Sequence, residues 1–286
     1  MEKINVILDT DAANQIDDQF AIAYLLRSKE KFNIEAITIA PFYKPDKCEN
    51  ILDGQEKSYK EVMNIIELLN YENKNIVHMG ATEYFKNQTN QENNAVNKII
   101  EIAHKNEKTY IVAIGAITNI ALAIEKDVSI VDKIEVIWLA SNSLLYNNNN
   151  DFNFRQDIKA NQKVFESNVQ LTVIPAKNVA SELKTTIYEI EHYLTDKGVV
   201  GKYFINLVKN EGNGENLQFG KRKTIWDIAA VAYLINENWF ELMEIPRPEI
   251  SDNGEYILSN RYAKAKFVKY LDADKIFADL FEKIRR

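Results

Sequence analysis

The stretch Val6-Ile7-Leu8-Asp9-Thr10-Asp11-Ala12-Ala13-Asn14-Gln15-Ile16-Asp17-Asp18 decides how this chain is read. Three apolar residues read as a buried strand. In a strand, residues two apart point the same way, so Asp9 and Asp11 leave its end together. Asp17 and Asp18 fall in the first turn of the helix that follows, where the helix dipole favours negative charge. A helix cap and a solvated turn account for two of these acids. They do not account for Asp9, which directly follows the apolar run and is expected to be buried. A buried carboxylate needs a cation or several hydrogen-bond donors. Four acids converging on one strand end therefore point to a hard divalent cation, and oxygen-only ligands favour calcium or magnesium over zinc or copper.

Outward from this junction, short apolar strands alternate with helical patterns. Strands are expected at Val6–Leu8, Ile34–Ile39, Ile76–Met79, Tyr110–Ala113, Val136–Leu139 and Leu171–Ile174. Helices are expected near Asp17–Arg27, Ser58–Leu69, Ala95–His104, Thr118–Glu125 and Ile158–Phe165, the first with Phe20, Ala21, Tyr24 and Leu25 as a core-facing stripe. Such alternation implies an α/β fold with an open, mostly parallel sheet flanked by helices, in which ligands collect beyond the C-terminal strand ends. After Ile174 the pattern turns helical over Leu183–Leu194, Val200–Asn210 and Trp226–Ile235, then strand-like from Tyr256 to Tyr270, with a last helix over Lys275–Arg286. No internal repeat or Pro/Gly/Ser-rich linker interrupts the chain, and residues 1–286 read as one domain.

Composition narrows the partners. The 286 residues are 46% hydrophobic, enough for a large core, and carry a formal net charge of −7, which leaves no basic footprint for nucleic acid. The longest basic run, Lys221-Arg222-Lys223, reads as a solvated loop. A single cysteine, Cys48, can build neither an internal disulfide nor a thiolate cluster, which fits a reducing compartment. No apolar run is long enough to cross a bilayer and the first residues have no basic leader pattern, so a cytoplasmic protein without a membrane partner is expected.

Four blocks together resemble the nucleoside hydrolase family. They are Asp9-Thr10-Asp11 with Asp17-Asp18; Gly115-Ala116-Ile117-Thr118-Asn119; Asp151-Phe152-Asn153 with Asp157; and Trp226-Asp227-Ile228-Ala229. They occur in the family's order, and the resemblance spans Lys3 to Phe240. It implies hydrolysis of the N-glycosidic bond of a ribonucleoside or related riboside. It also implies a Ca2+ ion held by Asp11, Asp18, Asp227 and the backbone carbonyl of Thr118. Asp11 would be general base for a calcium-bound water, Asp17, Asn153 and Asp151 would bind the sugar, and Asp9 would brace the loop from beneath. A homodimer or homotetramer is implied as well.

The chain departs from the family pattern in three places. Five residues, Ala12–Ile16, separate the two acidic pairs, a longer loop than usual, with Asn14 at its tip as a candidate substrate amide or a simple turn former. Trp226 stands where many members carry a histidine thought to protonate the leaving base, so it is a candidate for stacking on the base or for the core. His78, at the end of the third strand, is the best placed of the three histidines to line the site. Asp151 replaces a glutamate. Two rival readings are a sugar- or nucleoside-binding protein without turnover, and a haloacid-dehalogenase-like magnesium phosphatase, which also opens with D-x-D but leaves the Gly-x-x-Thr-Asn block unexplained.

Overall fold

A computed structural model describes residues 3–85, 93–146 and 148–286. Six strands run in the expected order: β1 (Ile4–Thr10), β2 (Phe32–Ile39), β3 (Val77–His78), β4 (Thr109–Ala113), β5 (Ile134–Leu139) and β6 (Gln170–Ile174). Two short strands, β7 (Lys184–Thr185) and β8 (Lys223–Thr224), pair with each other, as do β10 (Glu249–Ile250) and β11 (Tyr256–Ile257). The remaining strands, β9 (Phe240–Pro246) and β12 (Lys264–Leu271), complete an eight-stranded sheet of order β3-β2-β1-β4-β5-β6-β12-β9. Pairing is parallel throughout except between β12 and β9. Strand order reverses between β1 and β4, which opens a crevice at their C-terminal ends.

Among the described residues, ten α-helices flank the sheet. Those of the first half are α1 (Asp17–Leu26), α2 (Ile51–Leu68), α3 (Asn94–Lys105), α4 (Thr118–Lys126), α5 (Phe152–Gln156) and α6 (Ile158–Glu166). Those of the second are α7 (Ile187–Leu194), α8 (Gly198–Asn210), α9 (Ile228–Ile235) and α10 (Ala273–Ile284). Side chains alternate across a strand, and β1 shows the result: Val6 and Leu8 enter one core with α1 and α9, while Ile7 enters the other with α3, α4 and α6. The tail region carries two strands beyond expectation, β9 and β10, and burial along β9 is irregular and gives no clean alternation.

Three helices differ from their expected form, and α2 does so by beginning at Ile51, ahead of the expected Ser58. All ten residues of α1 are buried, not a single stripe, because α2, α9 and α10 pack around it. The expected helix over 183–194 starts only at Ile187. Before it, Lys184 and Thr185 are extended against β8, and the Thr186 side chain accepts from the Glu189 N–H at 3.2 Å to cap the shortened helix.

The strand ends around the crevice are tied by one buried amide. Asn119 Nδ2 donates to Asp9 Oδ1 and to the Ile39 carbonyl, both at 2.9 Å, and its Oδ1 accepts from Ala81 N–H at 2.9 Å. This clamp needs close approach: a Cβ on Gly80 would lie 2.0 Å from the Ile39 carbonyl oxygen and 2.5 Å from Asn119 Nδ2. Replacing Asn119 with alanine removes the partner of the Ala81 N–H, the side-chain donor to the Ile39 carbonyl and one of the two donors to Asp9 Oδ1. N119A is expected to lose about 3 kcal/mol in urea unfolding, and a loss below about 1 kcal/mol would show that the clamp is dispensable.

Candidate active site

At the crevice lies a cavity of about 240 Å³, open on one side. Its acidic floor is built by Asp11 after β1, by Asp17 and Asp18 opening α1, and by Asp227, the residue preceding α9. All four are at most 4% exposed. Carboxylate oxygens of Asp17, Asp18 and Asp227 lie within 4.8 Å of one another. This trio differs from the expected ligand set, since Asp17 stands in it and Asp11 does not. Thr118 opens α4 but does not line the cavity, and its hydroxyl donates to Asp157 Oδ2 at 2.7 Å.

Burial and mutual repulsion dominate the electrostatics. Loss of hydration pushes the Asp18 carboxyl up to about 8, with the Asp17 charge adding to it. Asp11 and Asp227 are raised well above the usual carboxylate range, first by burial and then by the neighbouring acids. Burial also raises Asp17, partly offset by the Lys223 ammonium and by the backbone N–H of Trp226. Lys223 is therefore no free loop cation: it is half-buried in β8 and ion-paired with Glu211 at 2.7 Å. The Thr10 hydroxyl donates to Asp18 Oδ1 at 2.5 Å. Asp17 Oδ1 has no partner among the described residues.

A buried set of carboxylates that repel one another, with an unpartnered oxygen, fits a hard divalent cation. Beneath it, Asp9 is fully buried and does not line the cavity. It accepts from Thr38 at 2.6 Å as well as from Asn119, and burial lifts it to about 7.

The remaining candidates divide clearly. Asn14, Asp151, Asn153 and Trp226 all line the cavity. Asn14 is 3% exposed and donates to Asp11 Oδ2 at 3.3 Å, which leaves its Oδ1 unpartnered. Asn153 Nδ2 is committed to the carbonyls of Ile114 and Leu139, at 2.9 and 3.0 Å, so only its oxygen is left for a ligand. Asp151 caps α5, with Oδ1 accepting from Ser141 and Phe154 N–H at 2.9 and 3.0 Å, and burial raises it to about 6. Trp226 is half-buried; it lines the cavity and also packs against the core.

His78 is not brought to the cavity. It ends β3 beside Lys98 and Glu101 of α3. The other histidines lie elsewhere too, His104 against Asp127 at 2.7 Å and His192 against the Tyr193 ring. Among the lining residues missed in the sequence are Asn142, Phe152 and Lys177. Asn142 and Lys177 follow the ends of β5 and β6 and form a parallel bridge. Their signal was positional, since ligands gather past strand ends. The Asn147–Asn150 run contributes Asn150 to the lining, and Asn147 lies outside the described residues.

A carboxylate-floored crevice at the switch point of an open parallel sheet defines a small-molecule enzyme of the metal-assisted kind. More narrowly, the chain belongs to the inosine-uridine preferring nucleoside hydrolase family, whose model matches residues 6–278. Members of that family cleave N-glycosidic bonds. A purine-preferring ribonucleoside hydrolase from Gardnerella vaginalis is similar in structure, with 21% identity, 98% of each chain covered and a TM-score of 0.77. An inosine-uridine preferring nucleoside hydrolase from Bacillus anthracis has 15% identity and a TM-score of 0.74, over 100% of this chain and 99% of its own. A plant nucleoside hydrolase reaches a TM-score of 0.79 at 16% identity, with 99% of each chain covered. These likenesses establish the fold. Among curated proteins there is no match.

The raised carboxyls make metal-free stability pH-dependent. Because Asp9 and Asp18 have folded values of about 7 and 8 against a usual 3.8, the folded state binds more protons than the unfolded one. Stability therefore falls as pH rises between these limits. The melting temperature of chelated protein is expected to drop by roughly 5 °C from about pH 5 to about pH 8, with calcium restoring it most at the higher pH. A flat profile, unmoved by calcium, would contradict the electrostatic account.

Proposed function

We propose that this protein hydrolyses ribonucleosides, or a closely related riboside, to free base and ribose with the aid of a calcium ion. The observation that carries the reading is the convergence of four buried carboxylates with Asn153 and Trp226 in one cavity at the sheet's switch point. Calcium as the ion, the cytoplasm as the compartment and a homodimer or homotetramer as the assembly rest on likeness to the family.

Breaking an N-glycosidic bond develops positive charge on the sugar, as in other glycoside hydrolysis. In this reading Asp18 and Asp227, with oxygens from Asp11 or Asp17, would hold the cation. When bound, the ion orients and acidifies a water. Asp11 takes that water's proton on a carboxylate oxygen. Asp17 accepts hydrogen bonds from the ribose hydroxyls, and its unpartnered Oδ1 supports this role. The Oδ1 atoms of Asn14 and Asn153 accept from further hydroxyls, because both amide nitrogens are already committed. Asp151 contributes from the rim. Together these carboxylates stabilise the cationic sugar, and the half-buried Trp226 presents a face for the base.

Chromatographic release of base and ribose from a ribonucleoside panel checks the proposal. D11N is expected to lower turnover about a thousandfold while leaving the fold intact. Full activity of that variant would remove the mechanism. W226A is expected to slow purine ribosides about tenfold more than pyrimidine ribosides; equal losses with a lowered melting point would mark Trp226 as a core residue alone.

A further inference from the structure

Departure of the base leaves an electron pair on its ring nitrogen, and efficient release needs a proton or a cation beside it. The cavity floor supplies only carboxylates. Trp226 offers no useful acid, and each of the three histidines lies away from the cavity. Among the described residues lining the cavity, one side chain is a cation: Lys177.

Lys177 is available for that task. Its backbone is fixed past the end of β6 by the bridge to Asn142 and by its carbonyl accepting from Ser143 N–H at 3.3 Å. Its side chain is exposed at the mouth, and among the described residues its ammonium forms no ion pair. It lies over the Tyr146 ring, 5.8 Å from the centroid, a contact that holds a cation without neutralising it. Tyr146 is itself tethered by its hydroxyl to Asn178 Oδ1 at 3.3 Å. The other nearby cations are differently engaged. Lys223 is held by Glu211, and Lys44 lies over the Phe152 ring at 5.9 Å without lining the cavity.

We infer that Lys177 is the leaving-group catalyst of this enzyme, donating from Nζ to the departing base. The inference rests on the hydrolase reading above. In the step, the water oxygen bonds to the anomeric carbon as the carbon–nitrogen bond breaks, and the bonding pair goes to the base nitrogen. Asp11 takes one proton from the water and Lys177 gives one to the base. Exchange with solvent through the open mouth resets both groups.

The test separates leaving-group help from every other role. Inosine needs assistance to leave, whereas p-nitrophenyl β-ribofuranoside expels a stable anion and needs none. K177M is expected to lower turnover of inosine about fiftyfold and of the nitrophenyl riboside less than about threefold. K177R, which keeps a donor cation, is expected to recover most of the loss on inosine. Equal losses on both substrates, or no loss on inosine, would overturn the inference and leave the hydrolase reading intact. Failure of the wild-type enzyme on both substrates and on the whole ribonucleoside panel would overturn the hydrolase reading and this inference with it.

Discussion

Four carboxylates share a buried volume that repels every one of them. That constraint organises the rest of the molecule. Desolvation alone raises each group, and proximity raises Asp11, Asp18 and Asp227 further. Such a cluster persists in a folded protein only if a cation, protons or fixed donors offset it. The chain supplies some donors, from Thr10, Asn14 and the Trp226 backbone. The balance falls to protons or to a cation, and in the proposed reading a divalent ion takes that place and serves the reaction as well as the fold.

The framework around the cluster is correspondingly stiff. Helix α1 is buried on all sides, so Asp17 and Asp18 cannot drift apart without moving a core element. Asn119 ties β1 to the end of β2 and to the loop after β3, while Asn153 ties the ends of β4 and β5. Gly115 keeps the floor open, since a Cβ there would come within 3.2 Å of Asp11 Oδ1 and 2.8 Å of Ala40 Cβ. Of these two amides, Asn153 lines the cavity with its oxygen uncommitted, whereas Asn119 spends its oxygen on the Ala81 N–H.

Much of this was legible in the chain. The six leading strands and the helices between them follow from apolar runs whose length and spacing are local properties. Asp9, Asp11, Asp17 and Asp18 were legible because acids abutting a buried strand contradict simple solvation. Other features depend on contacts between residues far apart in sequence. Lys177 and Asn142 meet only because β5 and β6 are neighbours. Lys223 looked like part of a solvated basic run, and only its pairing with Glu211 and the approach of β8 to the site reveal otherwise. The place of Asp17 beside Asp18 and Asp227, with Asp11 outside the trio, is set by how α1 and α9 pack. His78 sat at a strand end as anticipated, yet that strand lies at the sheet's edge, away from the switch point.

Protons and a metal ion compete for the same oxygens, and this competition can be measured directly. Calorimetric titration of calcium into metal-free protein, repeated in two buffers of different ionisation heat, reads both stoichiometry and proton release. The account predicts one ion per chain, with protons released near neutral pH and both signals lost in D18N. Absence of binding, or binding with no proton release and no dependence on Asp18, would contradict the claim that the buried carboxylates exist to hold a cation.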